Sequence, residues 1–135
     1  MNKWYCNSIA TLLFAILLPG IAAADTLTSD GYSLEDYHLK SAHDLADLCT
    51  LDKGHPDHAI AIAFCYGFFE GAIHYDDVIS STPAYVDIVC SPEGTSRTEA
   101  VNEFTRYMKA NPQYGSEMPI DAVFRALSAK WPCTD

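Results

Sequence analysis

Positive charge is scarce in this chain: 8 Lys and Arg stand against 18 Asp and Glu over 135 residues, a formal net charge of −10 at pH 7. So acidic a chain repels phosphate backbones, which argues against nucleic acid as a partner. A basic protein partner is instead drawn in at long range, although negative charge also serves solubility. No apolar run reaches the ~20 residues that a membrane-spanning helix needs. No cysteine pair has C-x-x-C spacing, which argues against a zinc framework. Ser nucleophile elbows, phosphate-cradling Gly loops and metalloprotease His pairs are also missing. There is no internal repeat and no low-complexity tract. These motifs therefore assign no catalytic residues, no metal and no cofactor.

What the N-terminus does carry is an export pattern. Lys3 is followed by an apolar run from Ile9 to Leu18, broken only by Thr11. Pro19-Gly20 ends the run, and Ala22-Ala23-Ala24 offers small residues for cleavage before Asp25. Residues 1–24 read as a cleaved signal peptide and the product as an exported protein, secreted or periplasmic. Cys6 precedes the apolar run, so it does not fit lipoprotein processing. The mature part, 111 residues with a net charge of −11, suffices for one domain with one modest core.

Residues 25–40 are polar, with turn residues at Ser29-Asp30-Gly31, and read as a flexible lead-in with a short turn from Ser33. Residues 41–135 carry helical signals throughout. Ser41 with Asp44 forms a capping box, and Ala42, Leu45, Leu48 and Cys49 follow at helical spacing, predicting a helix over 42–50. After Lys53-Gly54-His55-Pro56, Asp57 suits an N-cap for a second helix running to about Tyr75. From Ala59 to Phe69 that helix has no strongly polar residue, which predicts partners on several sides. Gly67 and Gly71, one turn apart, each cost ~1 kcal/mol relative to Ala. They mark either an internal helix crossing or a homodimer seam.

Ser80-Ser81-Thr82-Pro83 is a second break, and Tyr85 to Val89 reads as a short helix or an extended segment. Ser96 to Glu99 is another capping box, opening a helix of about 97–109 with Val101, Phe104 and Met108 inward. Asn111-Pro112 ends it. Pro119 then suits the first position of a last helix, whose stripe is Ile120, Val123, Phe124, Leu127 and Trp131 before Pro132. The fold class is all-α: a compact bundle of four to five helices stapled by two disulfides.

Cys49, Cys65, Cys90 and Cys133 form an even set in a short exported chain, the mark of a disulfide framework. Of the three connectivities, Cys49–Cys65 with Cys90–Cys133 is favoured, because each bond then closes its own loop.

Several polar clusters admit functional readings. The Asn111–Met118 connection holds Tyr114, Gly115, Ser116 and Glu117, an aromatic at a loop tip suited to anchor in a partner's cleft. An ordinary helix–helix loop has the same composition. Pro92 to Thr95 is a second such loop. Glu70, alone in charge on its stretch of helix, is a candidate acid beside His74, or a residue paired with an arginine. His55, Asp57 and His58 lack a fixed fourth metal ligand. Asp76-Asp77 lacks the Gly and spaced oxygens of a calcium loop. His43 with Asp47 one turn on reads as a surface pair.

Taken together, Asp44-Leu45-Ala46-Asp47-Leu48-Cys49, Phe64-Cys65-Tyr66-Gly67-Phe68-Phe69-Glu70-Gly71, Val89-Cys90-Ser91-Pro92, Tyr107 with Asn111-Pro112, and Ala126-Leu127 through Trp131-Pro132-Cys133 carry a resemblance. Over about 41–133 the chain resembles the Rap/Tai family of immunity proteins of bacterial type VI secretion systems. Gly67-Phe68 stands where that family usually has Gly-Tyr. The resemblance implies a helical periplasmic protein, often a homodimer, that blocks an injected effector, in known members a peptidoglycan amidase. On that basis the partner is a cognate secreted effector, with no nucleic acid and no membrane involved. Two other classes compete: a periplasmic acid-stress chaperone, also small, helical and disulfide-bonded, and a small hydrolase using Glu70 and His74.

Overall fold

Serine caps and Pro stops set the helix boundaries, and the computed structural model, which describes residues 31–133, places them close to their sequence signals. The elements are a 3₁₀ turn Leu34–His38, α1 Ala42–Thr50, α2 His58–Ser80, α3 Arg97–Ala110, a 3₁₀ turn Pro112–Tyr114 and α4 Pro119–Lys130. No strand occurs among the described residues. The export signal and Cys6 lie outside them.

At the start of α1, Ser41 Oγ accepts from the Asp44 N–H while Asp44 accepts from the Ser41 N–H at 3.1 Å. The same reciprocal cap joins Ser96 and Glu99 at the start of α3. These bonds satisfy N–H groups that a helix start otherwise leaves open. At the far end of α3, Asn111 Nδ2 donates to the Tyr107 carbonyl at 2.9 Å. Pro119 opens α4 as expected.

α2 runs to Ser80, five residues past the predicted end. Its stop lies beyond the apolar run, where Ser81 Oγ and Thr82 Oγ1 each donate at 2.7 Å to the carbonyls of Val78 and Ile79. Pro83 follows and disfavours helix in the residue before it. The 84–91 segment after it has no regular helix or strand, and Tyr85 to Ile88 are exposed.

The core is shared by all four helices. Leu45, Cys65, Phe69, Phe104, Val123 and Leu127 are its larger members, and Phe69 meets Phe104 edge to face at 5.5 Å. The inward face of α4 is rotated from the predicted stripe: Ala122 and Ala126 are buried beside Val123 and Leu127, while Ile120 and Phe124 are half-exposed. Small side chains let α4 approach closely, and the bulky ones straddle the contact.

Two expectations are corrected. α2 is not the centre of the core with partners on several sides. It packs on α1 and α3 and buries Ala61, Cys65, Phe69 and Ala72, but leaves Ile60, Ala63, Phe64, Gly67, Gly71, Tyr75 and Val78 exposed along the opposite face. A Cβ on Gly67 or Gly71 would meet nothing within 4 Å, so no internal helix crossing occurs there. Nor is the described part of the lead-in loose. Tyr32 and Asp36 are buried, the 3₁₀ turn packs on α1, and Ser33 caps it with Asp36. A residue period of 3.6 cannot report this docking, because the contacts come from α1 and from Asp57, to which the Tyr32 hydroxyl donates at 3.2 Å.

Both favoured disulfides are present. Cys49–Cys65 joins α1 to α2 inside the core. Cys90–Cys133 ties the 84–91 segment to the chain end at an exposed position, beside a Cys90 N–H to Trp131 carbonyl bond of 3.0 Å.

Candidate functional site

The loop expected to present a free aromatic tip is occupied with its own packing. Tyr114 stacks on Tyr107 at 6.1 Å, and the Arg125 guanidinium sits 4.5 Å over its ring. Arg125 is held in turn by two 3.0 Å bonds to Glu117, which keep its proton affinity above the ordinary arginine value. The carbonyls of Gly115 and Glu117 accept from the N–H groups of His43 and Ala42, at 3.0 and 2.8 Å, and so cap the start of α1. Gly115 is buried so tightly that a Cβ would fall 1.8 Å from His43 Nε2. Pro112, Gln113, Ser116 and Met118 are what this loop offers to solvent. Tyr114 is thus half-buried rather than an exposed tip.

The other polar clusters resolve case by case. Glu70 is paired with Arg97 at 3.2 Å and with His74 at 3.1 Å, so the arginine pairing holds. His55 Nδ1 accepts from the Asp57 N–H at 3.1 Å, and His58 Nδ1 lies 2.8 Å from the Leu51 carbonyl. These histidines shape the turn into α2. Among the described residues no three His, Cys, Asp or Glu side chains gather as a metal site. None of the described helices is long and apolar enough to cross a membrane.

His43–Asp47 is more than a surface pair. Burial, with Asp36 and Asp44 nearby, pushes the Asp47 carboxyl up to about 6, against the smaller opposing pull of His43. Asp36 reaches it from the lead-in, so the pattern along α1 alone could not reveal the effect.

A partly enclosed concavity lies at the opposite end of the bundle. A cleft of about 200 Å³ opens between the second half of α2, the 89–97 stretch and the end of α4. Ile73, Val89, Phe124, Leu127 and Trp131 give it apolar walls; Glu70, Asp76, Asp77, Ser96 and Arg97 give it polar ones. Asp76 is only 7% exposed, and its Oδ1 has no hydrogen-bond partner. Burial raises its proton affinity, Asp87 and Asp77 add to that, and the Ile88 backbone N–H opposes it. Pro92–Thr95, the second loop singled out in the sequence, stands between this cleft and a shallower one bordered by Glu93, Glu99, Glu103 and Lys130. Beside them Tyr75, Val78, Tyr85, Val86 and Ile88 expose large apolar side chains. Such a concentration on a small protein marks an interaction surface.

Sequence reading placed Asp76 only as a failed calcium loop, and it missed Phe124 and Trp131 as cleft walls. The available signal was the pairing of an acidic dipeptide, at the end of the apolar helix, with a Cys-anchored loop rich in apolar residues. The model of the family described as Rap1a immunity proteins matches residues 41–133, which span the four helices and all four paired cysteines. No curated protein and no solved structure matches the chain.

Proposed function

The chain belongs to the Rap1a immunity proteins, and from that premise we propose that it is a periplasmic inhibitor of a type VI secretion effector, a peptidoglycan amidase, acting by direct binding. An effector-immunity role follows from the family. The match over 41–133 is the observation that carries the proposal. The export pattern at residues 9–24 and the two disulfides support an oxidising compartment. Inhibition is by occlusion and needs no catalysis by this chain: the Glu70 carboxylate is held by both His74 and Arg97.

The rigid body is suited to this task, because every segment ordered on binding weakens affinity. Cys90–Cys133 fixes the 84–91 segment at its base, so its exposed apolar side chains are offered on a braced loop. The open face of α2 supports a homodimer. Ile60 and Val78 are 62% and 66% exposed and lie about 27 Å apart along the helix. Gly67 and Gly71 between them let a second backbone come close.

Gel filtration of the mature protein mixed with its cognate effector tests the reading. A stable complex and loss of amidase activity are expected. Two free species, or normal survival of a deletion strain co-cultured with attacking siblings, would refute it. The acid-stress chaperone reading requires opening at low pH. Asp47 and Asp76, whose proton affinities are raised in the fold, instead favour the folded form on mild acidification.

A further inference from the structure

Asp76 is an anomaly that the fold does not explain. It is a carboxylate in the α2 face that packs inward, more than nine-tenths buried, with one oxygen lacking any donor. Leaving such an oxygen unpaired is costly, and more so for a charged group than a neutral one. The cation nearest to it in the cleft, Arg97, is already committed: its Nε pairs with Glu70 at 3.2 Å and its guanidinium lies 5.6 Å from the Tyr66 ring centroid. The negative charge of Asp76 is therefore left over inside a cavity walled by the apolar Ile73, Val89, Phe124, Leu127 and Trp131, while the exposed Asp77 lies 3.9 Å from His74.

We propose that this cleft is a receptor for one basic side chain of the partner protein, its cationic head donating to Asp76 and its alkyl stem lying along Ile73, Val89 and Trp131. The inference rests on the immunity reading only for the identity of the partner that bears the side chain. Size and charge decide the occupant. About 200 Å³ falls below the ~300–1,000 Å³ of sites for drug-sized ligands and suits a single side chain. Excess carboxylate rejects an anion, and apolar walls match methylenes better than they match a hydrated metal ion. The net charge of −10 steers a basic surface toward the protein, and the cleft gives it one defined point of attachment.

The test uses the full mature protein and two small probes, n-butylguanidinium and n-butylammonium, followed by NMR at neutral pH. Saturable shifts confined to the Ile73 and Val89 methyls and the Trp131 indole are expected, with n-butanol producing none. Asp76→Asn should weaken probe binding at least tenfold while the spectrum otherwise stays folded. Ser91→Trp, at an exposed position on the cleft, should block the probes without touching the carboxylate. Absence of shifts, equal shifts with n-butanol, or unchanged titrations in both variants would overturn the receptor. In parallel, the affinity for the effector found in the gel-filtration experiment should fall at least tenfold in both variants; equal affinity would overturn the partner assignment. Failure of the effector to bind the unmodified protein would refute the immunity reading instead, and the small probes report on the cleft independently of it.

Discussion

Two side chains separate what a residue looks like in the sequence from what it does in the fold. Asp47 sits on a half-buried face of α1 with Asp36 close by, and its carboxyl titrates near 6 instead of near 3.8. A group with a raised folded-state value binds its proton more tightly folded than unfolded. Its ionisation therefore opposes folding above about pH 6, and the penalty is relieved as pH falls from about 6 towards 3.8. Asp47→Asn should stabilise the protein by about 1 kcal/mol at pH 7, after allowance for solvent screening, and by little at pH 4. Urea unfolding at both pH values checks this; equal effects would refute it. Tyr114, chosen from sequence as a contact residue, joins Tyr107, Arg125 and Glu117 in a packed cluster. Tyr114→Ala should lower stability by about 1–2 kcal/mol through loss of ring stacking and cation–π contact. Unchanged urea midpoints would show the cluster to be unimportant.

Helix boundaries were legible because their causes are local. Ser41 with Asp44, Ser96 with Glu99, Asn111-Pro112 and Pro119 act within a few residues, and the elements begin and end beside them. The end of α2 was misplaced because hydrophobicity fades at His74–Asp77, whereas helix persists there through the Glu70–His74 and His74–Asp77 pairs. Periodicity was uninformative for α2 for the opposite reason: a helix apolar on every side gives no signal for which side is covered. The exposed stripe through Gly67 and Gly71 therefore appears only in the structure. It yields a prediction with two opposed signs. With nothing within 4 Å of an added Cβ, Gly67→Ala and Gly71→Ala should each stabilise the isolated protomer by up to ~1 kcal/mol. If the two glycines line a close homodimer seam, the same changes should weaken self-association. Light scattering across a dilution series, alongside thermal unfolding, reads both; unaltered self-association would remove the glycines from the seam.

For the molecule as a whole, the two disulfides differ in setting. Cys49 and Cys65 are buried, whereas Cys90 and Cys133 are exposed. Thiol exchange depends on access, so graded reduction should open Cys90–Cys133 first. Alkylation followed by mass spectrometry should find label on Cys90 and Cys133 before Cys49 and Cys65; simultaneous labelling would contradict the argument. In the chain-entropy model, closure over 16 and 43 residues contributes ~3 and ~4 kcal/mol. Against the 5–15 kcal/mol typical of a domain, loss of the outer bond should leave a weakened but folded helical body, with the 84–91 segment released.

Helix positions other than the end of α2, the choice of four cysteines and their pairing, and the acidic balance were readable from the order of residues, because caps, stops and loop closure act over short stretches of chain. Burial of a charge does not work that way. Asp76 lies in a cleft, and Asp47 against Asp36, because segments 11 to 55 residues away along the chain pack there. The open face of α2 likewise depends on which neighbours are not there. Desolvation is set by every atom around a group, and only the folded arrangement of the helices supplies those atoms.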